Sequence, residues 1–173
     1  MQKTDEQFGV TRDRDAYGSA HCSVARALDV LRTRSTMLLL REAFYGTRRF
    51  DDFARRVGVT EQVAATRLKA LLDEGLLIRV PYQEPGQRTR YEYRLTDKGR
   101  ALYPVLVALL QWGDAHNPGP DGPPLLLKHR DCGATVSVEV RCSAGHEVAA
   151  RDVMMVPGPG LEAARNRRAA ANP

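Results

Sequence analysis

Residues 48–100 read RRFDDFARRVGVTEQVAATRLKALLDEGLLIRVPYQEPGQRTRYEYRLTDKGR, and the hydrophobic period changes partway along them. In the first half the apolar positions recur at helical spacing. Phe50, Phe53, Ala54 and Val57 fall on one side of a short helix that Gly58 closes. Thr60 is placed to cap a second helix, which buries Ala64, Leu68, Leu71 and Leu72 and stops at Gly75. Two helices joined by so short a turn have helix-turn-helix geometry. The outer face of the second helix is left with Gln62, Ala65, Thr66 and Lys69. From Leu76 the reading becomes β-like: LLIRVPY (76–82) and RYEYRLT (90–96) flank a loop whose Pro85-Gly86 pair signals a tight turn. A hairpin directly after the second helix is a wing.

Helices flank this unit. In CSVARALDVL (22–31), Val24, Leu28 and Leu31 share a face. The run RSTMLLLREAFYG (34–46) is apolar nearly all round, as a central buried helix is, and Gly46 ends it. Downstream, a long helix is expected from Asp97 to Ala115, presenting Leu102, Val105, Leu106, Leu109, Leu110 and Trp112, with Pro104 in its early turns. The Pro/Gly run HNPGPDGPP (116–124) is the clearest boundary in the chain. Beyond it LLLKHR, TVSVEVR and EVAARDVMMV read as short strands of a meander.

The expected fold class is therefore α+β: a winged helix-turn-helix domain with flanking dimerisation helices and a small C-terminal β-meander. The expected division is a mobile tail over 1–19, the winged-helix domain over 20–116, a linker over 117–124, a β-rich appendage over 125–160 and a flexible tail over 161–173.

Composition narrows the function classes. An apolar fraction of 43% is enough for a real core. No apolar run approaches a membrane span, and the polar start MQKTDEQFGV does not resemble a secretory signal. The expected location is cytoplasmic and reducing, where three cysteines are poor material for a disulfide framework. Lys and Arg number 26 against 21 Asp and Glu, a surplus of five that permits a nucleic-acid partner without demanding one.

The segments CSVARALDVL, RRFDDFARRV, RLKALLDEGLLIR, YEYRLTDKGRAL and QWGD together resemble the HxlR family of bacterial transcriptional regulators over residues 20–116. The most specific parts are EGLLIR leading into RYEYRLTDKGR. Two departures, Ser23 where the family often has proline and TRSTMLLL without the usual Lys-Trp, touch packing more than DNA reading. The resemblance implies a homodimer on double-stranded DNA. Its two recognition helices would lie one helical turn, ~34 Å, apart on a pseudo-palindromic site.

A small polar helix face can enter a major groove roughly 12 Å wide. Gln62 and Thr66 can hydrogen-bond base edges, with Ala65 and Thr60 on the same approach, while Lys69 suits a phosphate or a guanine. Arg88 and Arg90 at the hairpin supply charge for the adjacent backbone or minor groove, and Arg48 and Arg49 stand before the first short helix. A merely solvated charged surface is the plain alternative, but three basic elements stand where a winged helix turns towards DNA. For dimerisation the candidates are Val24 and Leu28 on the first helix and Leu106, Leu109 and Trp112 on the last.

Cys22 opens the first helix near Arg26, and some relatives use a cysteine at the matching place as a redox switch. The resemblance allows that role, or a response to a small-molecule effector; a small semi-buried interface residue is the plainer reading. In the appendage His129, Cys132, Cys142 and His146 are spaced H-x2-C-x9-C-x3-H, a set of candidate zinc ligands. Some HxlR-like chains carry a similar tail ending in PGPG, but with C-x-x-C-G where this chain has CSAGH. That departure tips the balance towards no resident cofactor, with both cysteines packed as small apolar residues. An enzyme would need Cys22 or Cys132 as nucleophile and His21 or His129 as base, and the sequence carries no P-loop, dinucleotide fingerprint or nucleophile elbow. The remaining rival is a zinc-stapled protein-interaction module on a winged-helix scaffold, which has no use for Arg88 and Arg90.

Overall fold

The computed structural model describes residues 22–171; the tail assigned to 1–19, and His21, lie outside them. Packing divides the described chain into two units, residues 30–138 and residues 22–29 with 139–171. Helix α1 spans Ser23–Leu31 and is followed by α2, Arg34–Phe44. Thr33 caps α2, its hydroxyl accepting the Thr36 N–H at 3.3 Å.

The helix-turn-helix is α3 (Phe50–Val57) and α4 (Glu61–Asp73). Gly58 ends α3 in the left-handed region at φ 70°, where its N–H reaches the Ala54 carbonyl. Thr60 then caps α4 by accepting the Val63 N–H. The turn is therefore closed by one residue without a β-carbon and one short hydroxyl. Leu39 and Leu40 of α2, Phe53 of α3, Leu68 and Leu71 of α4, and Leu76 and Leu77 beyond it form one buried cluster. Of the faces expected to be buried, Phe53, Ala54, Ala64, Leu68 and Leu71 are fully so, while Phe50, Val57 and Leu72 are partly covered.

Strands β1 (Leu77–Tyr82) and β2 (Arg90–Leu95) pair antiparallel from Leu77↔Leu95 to Tyr82↔Arg90. At the loop, Gln87 N–H donates to the Glu84 carbonyl and Gly86 takes φ 76°, the turn that Pro-Gly favours. The hairpin is anchored at its base. Tyr93 is buried and meets Phe53 edge-on at 5.9 Å, and its N–H donates to the Arg48 carbonyl at 2.9 Å.

The single helix expected from Asp97 is broken into α5 (Asp97–Arg100) and α6 (Tyr103–His116). Pro104 is the cause. It has no N–H to continue the ladder, and its ring would meet the carbonyl four residues back, at Arg100. It sits instead in the first turn of a new helix, where proline is tolerated.

Two further expectations are corrected beyond the linker. The meander is reduced to isolated antiparallel bridges, Lys128↔Thr135 and Arg141↔Glu147. Residues 125–156 are mostly exposed, so no buried face holds a longer register in place. The end of the chain, expected to be a flexible tail from 161, forms helix α7 over Pro159–Ala171. Its alanines favour helix, and Leu161 and Ala164 are buried. The Pro/Gly linker does not end the larger unit either: the Gln111 amide of α6 donates to the Val136 carbonyl and accepts the Val138 N–H, mimicking a strand neighbour.

Candidate nucleic-acid interface

The outer face of α4 is as the pattern requires. Gln62, Ala65, Thr66 and Lys69 are exposed, with Leu68 and Leu71 buried behind them. Two of the four are partly committed. Thr66 donates its hydroxyl to the Gln62 carbonyl at 2.8 Å, which leaves it a methyl group and acceptor capacity. Lys69 pairs with Asp73 at 2.6 Å, a surface i,i+4 bridge weak enough to be exchanged for a phosphate. Thr60 is exposed, but its oxygen caps the helix.

Arg88 and Arg90 are exposed at the hairpin, and Arg48 and Arg49 before α3. Among the described residues no carboxylate lies within ion-pair distance of Arg48, Arg88 or Arg90. Their charge is available. Arg49 differs: it bonds Glu84 of the wing loop at 2.7 Å and lies over the Tyr82 ring at 5.1 Å. The Glu84 hydrogen bond holds the guanidinium even more firmly protonated than usual. Arg49 thus fastens the start of α3 to the wing.

Behind α3 a buried carboxylate sets the helix in place. Glu42 of α2 accepts the Arg41 guanidinium at 2.8 Å and the Thr47 hydroxyl at 3.0 Å, and Arg56 of α3 donates to Thr47 at 2.8 Å. No helical periodicity marks Glu42, because an acid within an apolar helix reads as surface until its partners fold around it.

On α6, Leu109 and Trp112 are 54% and 64% exposed, and Val105, not among the expected dimerisation residues, extends their stripe one turn back. Leu106, expected on that stripe, is only partly exposed. On α1, Val24 and Leu28 are 66% and 60% exposed. Large apolar residues left this open on regular helix faces suit a protein partner.

Cys22 is half-buried at the start of α1, and Arg26 donates to the Ser23 hydroxyl. Of the candidate zinc ligands, Cys132 and Cys142 are exposed rather than packed as small apolar residues. His129 Nδ1 lies 3.2 Å from Cys132 Sγ, whereas Cys142 and His146 belong to a different turn, closed by the Cys142 N–H on the His146 carbonyl. Among the described residues no group of three or more His, Cys, Asp or Glu is arranged to hold a metal. No helix among them is long and apolar enough to cross a membrane.

A helix-turn-helix followed by a hairpin wing is the winged-helix fold, here with an exposed polar second helix and wing arginines without ion pairs. Residues 30–120 match the HxlR-like helix-turn-helix family, and the chain belongs to it. It is 45% identical to an HTH-type transcriptional regulator of Mycobacterium tuberculosis over 142 residues, covering 82% of this chain and 89% of that protein. The crystal structure of PA1607, assigned as a transcription factor, matches 83% of this chain and 99% of its own, at 40% identity and TM-score 0.72. The redox regulator HypR in its reduced form matches 54% of this chain and 92% of its own, at 27% identity and TM-score 0.50. The first two matches are too long to be confined to the winged helix; the HypR match is of about that length.

Proposed function

We propose that the chain regulates transcription by binding operator DNA as a homodimer, with α4 in the major groove and the wing on the adjacent backbone. The observation that carries this is the pairing of an exposed Gln62, Ala65, Thr66 and Lys69 face with exposed, unpaired Arg88 and Arg90 at the hairpin. Membership of a regulator family supports it, as does the open apolar stripe on α6, which a second copy would cover. Val24 and Leu28 on α1 add a second apolar face for the same purpose. The family and the relatives are regulators rather than enzymes.

The test is a salt titration of binding to the DNA upstream of the protein's own gene. Replacing Arg88 and Arg90 together by alanine should weaken binding to every sequence. It should also flatten the slope of log K against log salt by ~0.9 for each phosphate no longer neutralised. Identical slopes for the double variant and the natural chain would sink the wing's role.

A further inference from the structure

A cleft of about 630 Å³ lies between the start of α3 and the inner surface of the wing, and the DNA reading makes no use of most of it. Arg79, Tyr91 and Tyr93 of the hairpin line it, together with Arg49 and Asp51 at α3, and Tyr82 and Arg90 at the strand pair nearest the loop. Its size is within the range of small-molecule sites. We propose that this cleft is an effector site for a small planar aromatic carboxylate that carries a hydrogen-bond donor on its ring.

The chemistry follows from what is committed and what is free. The Arg79 guanidinium lies 5.9 Å from the Tyr91 ring centre and 5.7 Å from that of Tyr93. Such contacts hold the flat cation against the rings and leave its N–H donors for an anion, which a carboxylate takes two at a time. Among the described residues no carboxylate is within ion-pair distance of Arg79 or Arg90. Tyr91 is exposed and offers a ring face for stacking.

The acids in the cleft select among anions. Asp52 is taken by Arg55 at 2.5 Å, a hydrogen bond that holds its carboxyl below the usual range. Asp51 is exposed and has no ion pair among the described residues. Beside the unpaired Asp51, a singly charged carboxylate is repelled less than a doubly charged phosphate. A single carboxylate on Arg79 with a ring hydroxyl or amine towards Asp51 suits both charges.

Occupation has a regulatory consequence, which rests on the DNA reading although the binding itself does not. Arg49 and Arg90 belong both to the cleft and to the basic surface assigned to DNA. An anion held on Arg79 in the same cleft offsets the unpaired charge of Arg90 that phosphates would otherwise meet, so the effector should release DNA.

Calorimetry on the full chain tests the site without DNA. The probes are 4-hydroxybenzoate and anthranilate, compared with cyclohexanecarboxylate and inorganic phosphate. Saturable binding of both probes, with a Kd on the order of 1 mM or tighter, is expected. Arg79→Ala should weaken it roughly tenfold or more, and Arg79→Lys nearly as much, because an ammonium lacks the planar fork. Arg94→Ala, whose side chain is tied to Glu92 at 3.0 Å, should bind the probes as the natural chain does. Circular dichroism confirms that each variant is folded. The proposal is overturned if no probe binds up to roughly 10 mM, if folded Arg79→Ala binds unchanged, or if phosphate competes equally. Adding 4-hydroxybenzoate to the protein–DNA complex should then weaken DNA binding, and a complex unaffected at saturating probe overturns the regulatory half. Failure to bind DNA with no probe present counts against the DNA reading alone.

Discussion

The Thr66 hydroxyl proton is directed at the Gln62 carbonyl, so the side chain can show a base only its methyl group and an acceptor. Against DNA this favours apolar contact with a thymine methyl over donation to a purine edge. Thr66→Val, which keeps the shape and the methyl, should retain sequence preference. Thr66→Ala should lose about 0.8 kcal/mol of discrimination at one base pair, roughly fourfold, with an unchanged salt slope. Competition binding against a set of single-position operator variants measures both. Glu42 is the other residue whose role is set by its neighbours. It is only 6% exposed and gathers Arg41, Thr47 and, through Thr47, Arg56. Glu42→Ala would leave the buried Thr47 hydroxyl without its acceptor beneath the helix-turn-helix and should cost about 1–3 kcal/mol of stability. Urea denaturation reads that directly, and an unchanged midpoint would refute the network.

At the scale of elements, the junction of α4, β1 and α5 explains why EGLLIR and LTDKG belong together. Thr96 caps α5 by accepting the Gly99 N–H, and donates its hydroxyl to the Gly75 carbonyl at 2.7 Å. Thr96 N–H reaches the Leu76 carbonyl, and Lys98 reaches that of Glu74. The end of α4 and the end of the wing are thus tied at one corner. Gly99 is buried in it, and a β-carbon there would stand 2.2 Å from the Leu76 carbonyl oxygen. Backbone cannot swing aside as a side chain does. Gly99→Ala should therefore destabilise the fold by about 1–3 kcal/mol and shift the wing relative to α4. Thermal melting tests the first effect, and loss of DNA affinity beyond the fraction unfolded tests the second.

For the whole molecule, the exposed Val105, Leu109 and Trp112 stripe on α6 marks the surface that a second copy should bury. Leu109→Glu would place a charge in that interface. It should raise the dimer dissociation constant ~100-fold, on the order of 3 kcal/mol, with little change in monomer stability because the site is open in the single chain. Sedimentation over a concentration series gives the constant. A natural chain that stays monomeric at micromolar concentration would contradict the dimer.

Local rules made most of the winged helix readable. The 3.6-residue pattern of α3 and α4, the Gly58 and Thr60 signals at their turn, and the Pro85-Gly86 hairpin loop each act within a few residues, so the chain states them openly. The polar outer face of α4 followed, because the inner face was so plainly leucine. What tertiary structure alone decided depends on groups distant in sequence. The Arg79 and Tyr91 cleft beside Arg49 exists only once the wing folds back towards α3, and Glu42 reads as a surface acid until Thr47 and Arg56 arrive. The cysteines and histidines at zinc-like spacing fall in two separate turns, each closed by its own backbone hydrogen bonds. Spacing along a chain specifies geometry only inside a regular element; between elements, packing chooses which side chains meet.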